Sequence, residues 1–194
     1  MAQVDIKNKC AIFIIFLFSL LIVGESTQFS SENLPITSLA LKKEKLTHLH
    51  FYLHDTISGN NPTSVPVARA PTTNTYQTLF GLTYVIDDPL TMGPEITSKL
   101  VGRAQGMLAS AGQNEFVLSM ALNFVFSEGK YNGSTFSLLA RNPVLSNPRE
   151  FSIVGGSGLF RFARGYVLAK TYFLDETKGN AIVEYDAHIL HYGD

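Results

Sequence analysis

From Leu46 onward the chain alternates between apolar and polar positions, with Gly, Pro, Asn and Asp between the alternating segments. Period two is the spacing of a half-buried strand, whose successive side chains point to opposite faces. The pattern predicts strands over 47–55, 79–87, 100–110, 116–126, 134–139, 150–154, 163–173 and 181–191, with a further short one near 65–69. No stretch carries an apolar stripe at helical spacing, and Gly and Pro recur too often for long helices. Many strands at short, regular spacing predict an all-β sandwich or closed barrel. Asn132-Gly133 is a hairpin signal. Lys178-Gly179-Asn180 should join the last two strands, and Asp88-Pro89 and Gly93-Pro94 should bracket a rigid loop.

The two faces of each strand differ. Leu49, Phe51, Leu53 and Asp55 share one face of the first strand, and His48, His50, Tyr52 and His54 share the other. Asp55 thus ends an apolar row, where desolvation should raise its pKa and let it exchange a proton near neutral pH. An ordinary strand-end carboxylate is the alternative. Gly102, Ala104 and Gly106 form a face of small residues, as do Ala163, Gly165, Val167 and Ala169. Such faces either leave a barrel partly hollow or admit a neighbouring strand closely. The segment 116–126 reads as apolar on nearly both faces, which would need outside cover; a partner subunit is the simplest.

The start of the chain changes the picture. Lys7 and Lys9 precede an apolar run from Ala11 to Val23, and Gly24 and Ser26 occupy the −3 and −1 places of a cleavage site. This is a secretory signal pattern, shorter than a membrane span. The expected organisation is a signal peptide over 1–26, a flexible segment over 27–45 and one domain over 46–194, with the mature protein beginning at Thr27. Cys10, the only cysteine, falls within the signal, so the mature chain has no disulfide, thiol nucleophile or thiolate metal site. Hydrophobic residues make up 45% of the chain and charged residues 16%, which excludes a disordered chain. A net charge of −1 gives no reason to expect nucleic acid or an anionic membrane as partner.

Motifs for chemistry are sparse. His48, His50 and His54 alternate as metal ligands can, but no carboxylate-rich or cysteine motif accompanies them. A solvated polar face is the better reading, with no metal expected. Gly155-Gly156-Ser157-Gly158 lacks the context of a phosphate loop and reads as a backbone turn. No cofactor motif and no Gly-x-Ser-x-Gly occurs. Asn132-Gly133-Ser134 is the one N-glycosylation acceptor, and it lies on an expected turn. Arg149, Arg161 and Arg164 form the densest basic region; an arginine near Asp55 would pull its pKa back down.

Several segments together resemble the plant dirigent family. They are His50-Phe51-Tyr52-Leu53-His54-Asp55, Asp87-Asp88-Pro89-Leu90-Thr91 and Val101-Gly102-Arg103-Ala104-Gln105-Gly106, then Asn123-Phe124-Val125-Phe126 and Tyr131-Asn132-Gly133-Ser134-Thr135. The densest match is Arg149-Glu150 followed by the run from Val154-Gly155-Gly156-Ser157-Gly158 to Arg164-Gly165-Tyr166, and the chain closes on Val183-Glu184-Tyr185 and His191-Tyr192. The resemblance implies an eight-stranded antiparallel β-barrel with a central pocket. It also implies a homodimer or homotrimer, secreted to the apoplast and glycosylated, here at Asn132. It implies a small phenolic substrate or its radical, with an external oxidase or laccase as auxiliary and no cofactor of its own. Such proteins direct phenoxy-radical coupling, as of coniferyl alcohol, toward one lignan stereoisomer.

By the same resemblance Asp55, Arg149 and Thr171 match catalytic positions, and Phe51, Leu53 and Asn142 would contact substrate. Pinoresinol-forming members carry a second aspartate where this chain has Asn142, and an aromatic residue is common where it has Leu108. These departures are more similar to the branch with pterocarpan synthases, which close an isoflavanol ring by dehydration. A passive carrier of phenolics is the remaining alternative.

Overall fold

The computed structural model describes residues 31–193. The expected signal peptide and the cut before Thr27 lie outside the described residues. Residues 31–40 belong to a separate unit, exposed throughout, with one 3-10 turn at Ile36–Leu39. Among the described residues no helix is long and apolar enough to cross a membrane.

The second unit holds nine described strands: β1 (Lys45–Asp55), β2 (Ser64–Arg69), β3 (Leu82–Thr91), β4 (Leu100–Ser110), β5 (Val117–Phe126), β6 (Thr135–Pro143), β7 (Arg149–Ser157), β8 (Arg164–Leu174) and β9 (Ala181–His191). They hydrogen-bond in the order β1-β9-β8-β7-β6-β5-β4-β3-β2, every pair antiparallel, and β1 also pairs with β3. The extra pairing closes β1 and β3–β9 into an eight-stranded barrel and leaves β2 flanking the edge of β3. Closure removes the exposed edges that an open sheet would present.

Alternation builds the core as expected. Phe51, Phe124, Phe136, Phe151 and Phe160 all point inward and are fully buried. Their rings pack on one another, with Phe124 stacked on Phe136 at 4.8 Å between centroids and Phe51 stacked on Tyr185 at 5.5 Å. Burying each such ring contributes roughly 2–3 kcal/mol. Phe124→Ala would cost about 3–5 kcal/mol, because neighbours on several strands could not collapse into the space.

The small-residue faces resolve toward close strand approach at their glycines. A Cβ on Gly102 would strike the Val125 carbonyl of β5, and one on Gly106 would strike that of Ala121. Ala104, between those glycines, and Ala169, on the other small-residue face, are buried in the core itself. Segment 116–126 also differs from its two-sided apolar reading. Its inner row is apolar, but outward it presents Ser119, Ala121 and Asn123 to solvent. Phe116, just before β5, is 44% exposed.

Some local readings change. Gly155 and Gly156 pair within β7, opposite Ser137 and Phe136, and the turn begins only at Gly158–Phe160. At Asn132-Gly133 only Gly133 takes a positive φ, +77°, while Asn132 sits at φ −51° and ψ 128°. That is a type II turn, closed by Ser134 N–H to Tyr131 O at 2.8 Å, rather than a two-residue hairpin. His54 does not share the solvated face of His48 and His50. The β1–β3 closure buries it, and its Nε2 donates to the Thr91 hydroxyl at 2.7 Å, which itself donates to Gly93 O.

The largest difference is at Asp88-Pro89, which lies inside β3 rather than in a loop. Asp87 N–H donates to Thr63 O. Amides on a strand alternate between its edges, so the Pro89 nitrogen faces that same edge. There β2 pairing has stopped at Ser64↔Ile86, and β1 pairing starts only at Leu53↔Leu90. Proline forfeits no ladder bond in that gap.

Candidate functional site

The gap that accommodates Pro89 also creates the site. Beyond Leu53↔Leu90 the strands β1 and β3 separate. Carrying their register two residues further sets Asp55 opposite Asp88, both in phase with inward apolar rows. Asp88 is fully buried, whereas Asp55 keeps some exposure. The chain between β1 and β2 wraps this corner: the Thr63 hydroxyl donates to Asp88 Oδ1 at 2.6 Å. Asp88 Oδ2, Asp55 Oδ1 and the buried Ser64 hydroxyl have no hydrogen-bond partner. Buried polar atoms are normally paired, so three orphans at one corner mark a place for a polar ligand group.

Burial raises both carboxyls, because the charged form loses its hydration. Asp55 is pushed up to about 6 by burial, opposed by the Ser64 hydroxyl, which lies beside it without closing a hydrogen bond. Asp88 is pushed up to about 8, first by burial and then by the Asp55 charge, with Thr63 opposing. Near neutral pH the two carboxyls therefore hold one proton between them. Arg149 does not act on Asp55; its influence falls on Tyr185.

Arg149 opens β7 and is buried, with Nη1 donating to Val144 O at 3.2 Å and Nε unpartnered. Burial lowers its pKa, and Tyr185 partly restores it. Tyr185 lies in the same cross-strand row as Phe51, Ala169 and Arg149. Burial raises its pKa, as do Asp88 and Asp55, so the phenol stays neutral. Asn142, near the end of β6, falls opposite Arg149 when the Leu138↔Ile153 register is extended. Its Nδ2 donates to Met120 Sδ at 3.4 Å and its Oδ1 has no partner. Thus Asp55, Asn142 and Arg149 gather at one end of the barrel.

Thr171 belongs to the inward row of Val167 and Ala169 but is exposed on the rim at that end, opposite Val183. Leu53 is buried against the acid pair's register, and Phe51 lies deeper, sealed by Phe124, Phe126 and Tyr185. A concavity of about 520 Å³ at the same end is lined by Val117, Leu118, Ser119, Leu139 and Arg141; the acid pair is not part of it.

Sequence reasoning missed Asp88, Thr63, Ser64 and Tyr185. Asp88 carries the signal that singled out Asp55: Tyr84, Ile86, Asp88 and Leu90 alternate, with a carboxylate inside an apolar row.

An acid pair above an aromatic floor can give and take protons on a neutral small molecule held in the barrel. The chain belongs to the dirigent family, whose model, described as dirigent-like protein, matches residues 46–190. It is 60% identical over 150 residues to Dirigent protein 21 of Arabidopsis thaliana, covering 77% of this chain and 79% of the other. It is 51% identical over 176 residues to pterocarpan synthase 1 of Glycyrrhiza echinata, covering 90% and 93%. A solved pterocarpan synthase dirigent protein, 54% identical, superposes with a TM-score of 0.74 over 78% of this chain and 88% of that one. A second, 50% identical, gives 0.73 over 77% and 97%.

Proposed function

We propose that this barrel holds a small phenolic substrate and that the Asp55–Asp88 pair moves protons during a dehydrating ring closure of the pterocarpan-synthase type. The observation that carries this is the register opposition of two buried carboxyls sharing one proton near neutral pH. The protonated partner gives its proton to the leaving hydroxyl of an isoflavanol, and water departs. The phenol conjugated to that carbon loses its own proton to the ionised partner, giving a quinone methide. A second phenolic oxygen of the same molecule then adds to the carbon, closing the ring. Its proton restores the phenol, so the sum is loss of one water. Arg149 and Tyr185 supply donors toward the aromatic oxygens, and Thr171 stands at the entrance. No oxidant is required.

The second reading is stereochemical direction of phenoxy-radical coupling, with an external oxidase or laccase making the radicals. The same raised carboxyl supports it, since a quinone methide formed by coupling also gains electrophilicity from an acid on its oxygen. In either case we propose a secreted, apoplastic protein, glycosylated at Asn132 and assembled as a homodimer or homotrimer.

Chiral chromatography of products from a panel of phenols and isoflavanols, with and without laccase, tests the proposal. Loss of water from an isoflavanol without oxidant supports the first reading. Optical activity appearing only with laccase replaces it with the second. Binding with neither effect leaves a carrier and removes both.

A further inference from the structure

On the outer surface of the barrel, away from the acid pair, strands β1 and β9 juxtapose histidines with carboxylates. In their register His50 lies opposite Asp186, with His48 and Glu184 on the adjoining diagonals of the same face. His48 Nε2 is 3.0 Å from Asp186 Oδ1, and His50 Nε2 is 2.8 Å from Glu184 Oε1. One ligand atom each from His50, Glu184 and Asp186 lies within 4.8 Å of the others. The carboxylates absent from the histidine segment itself thus arrive from 134 to 138 residues further along the chain.

The side chains are also held in place. The His48 ring stacks on His188 at 4.8 Å, and His188 stacks on Tyr166 at 4.8 Å. His50 meets the Tyr52 ring edge-on at 5.2 Å, and the Tyr52 hydroxyl approaches Glu184 Oε1 at 3.5 Å. Glu184 and Asp186 are 27% exposed, so the cluster is reachable but partly desolvated.

We propose that His50, Glu184 and Asp186 form a binding site for a divalent transition cation of the zinc class, with solvent completing the shell. One imidazole and two carboxylates are three ligands that zinc accepts in tetrahedral geometry beside a water, with bonds of roughly 2.0–2.2 Å. Tetrahedral coordination separates neighbouring ligand atoms by about 3.3 Å, so the His50–Glu184 contact needs to open by a few tenths of an ångström and the other separations to close from no more than 4.8 Å. Imidazole selects zinc, nickel or copper over calcium and magnesium, which prefer all-oxygen cages. Lys170, opposite Glu184 on β8, is the competing cation already on this face. A bound ion would tie the first barrel strand to the last.

The test is isothermal titration of untagged protein with zinc chloride, with calcium and magnesium chlorides as controls and thermal melts run in parallel. One zinc per chain should bind with a dissociation constant on the order of 10 μM, and the melting temperature should rise. His50→Gln and Glu184→Gln should each weaken binding at least about tenfold. Both positions are outside the core, and circular dichroism checks each fold; if one variant fails to fold, the other decides. The proposal is overturned if zinc shows no saturable binding up to about 200 μM. Equal binding of calcium would overturn it as well, as would zinc binding unchanged in the folded variants; the cluster would then be two solvated ion pairs.

Discussion

Replacing Asp88 by Asn separates the two costs that this residue imposes. Asn keeps the size, can still accept the Thr63 hydrogen bond and imitates the protonated acid, but it cannot ionise. In the folded protein Asp88 rises from 3.8 to about 8, so between those pH values the folded state binds a proton that the unfolded state has released. Stability therefore falls as pH rises through that window: the contribution is full below about pH 4 and lost above about pH 8. A rise of that size corresponds to about 6 kcal/mol across the window. Burial is the larger cause and the Asp55 charge the second, so at least about 3 kcal/mol belongs to Asp88 alone. Urea denaturation at pH 5 and pH 9 should find Asp88→Asn gaining about that much on wild type between the two conditions. The same variant should lose activity by roughly a hundredfold or more, as expected when a general acid is removed. An unchanged stability difference at the two pH values would refute the burial argument for Asp88.

Asp55→Asn removes the charge that helps to hold Asp88 up, so the alkaline limb of the pH–rate profile should move to lower pH while the rate falls on the order of a hundredfold; a folded variant with wild-type rate and selectivity would make Asp55 merely structural. Arg149→Lys should lower kcat/KM about tenfold or more, since a buried fork of donors becomes a point charge; unchanged kinetics on the true substrate would remove Arg149 from the site. Gly102→Ala should destabilise by about 1–3 kcal/mol, because its Cβ meets the Val125 carbonyl; a midpoint equal to wild type in urea would contradict the close approach. Light scattering should give two or three chains per particle, and Met107→Lys should shift that toward one. Val65, Val85, Met107, Ala121 and Leu139 align across five strands on the outside, and all five are exposed; a monomeric wild type at micromolar concentration would count against assembly.

Period-two alternation was enough to read most strands and the inward placement of Asp55, because strand faces are a local property of the chain. Pairing between distant strands is not local. Nothing near Asp55 announces that β3 closes against β1, so Asp88 and the buried state of His54 depend on a contact that spacing does not encode. Pro89 obscures Asp88 further, because proline in a strand ordinarily argues for a break; it is tolerated here only by the gap between β2 and β1. Tyr185 is similar. Its place in the row of Val183, Ala187 and Ile189 is legible, but its neighbours Asp55 and Asp88 are brought to it by the closed barrel. The glycine faces were ambiguous because periodicity gives direction and not the distance to the next strand.

The seam of the barrel has a consequence for how the chain is made. β1 and β9 pair along their full lengths, with Thr47 and His191 bonded across 144 residues of sequence. A ribosome delivers β1 first and β9 last, so the barrel cannot shut until synthesis is nearly finished. Such distant pairings form slowly, and until then β1 and β8 are open edges able to pair with another chain. Ser134, by contrast, is accessible only until the Gly158–Phe160 turn docks on it. In the finished fold it is buried, and its hydroxyl accepts the Leu159 amide at 3.1 Å. An enzyme that reads Asn132-Gly133-Ser134 must reach that hydroxyl, so any sugar on Asn132 has to be attached before the Gly158–Phe160 turn docks on Ser134. Hastening the docking of that turn would then yield more unglycosylated protein, whereas delaying the β1–β9 closure would raise aggregation.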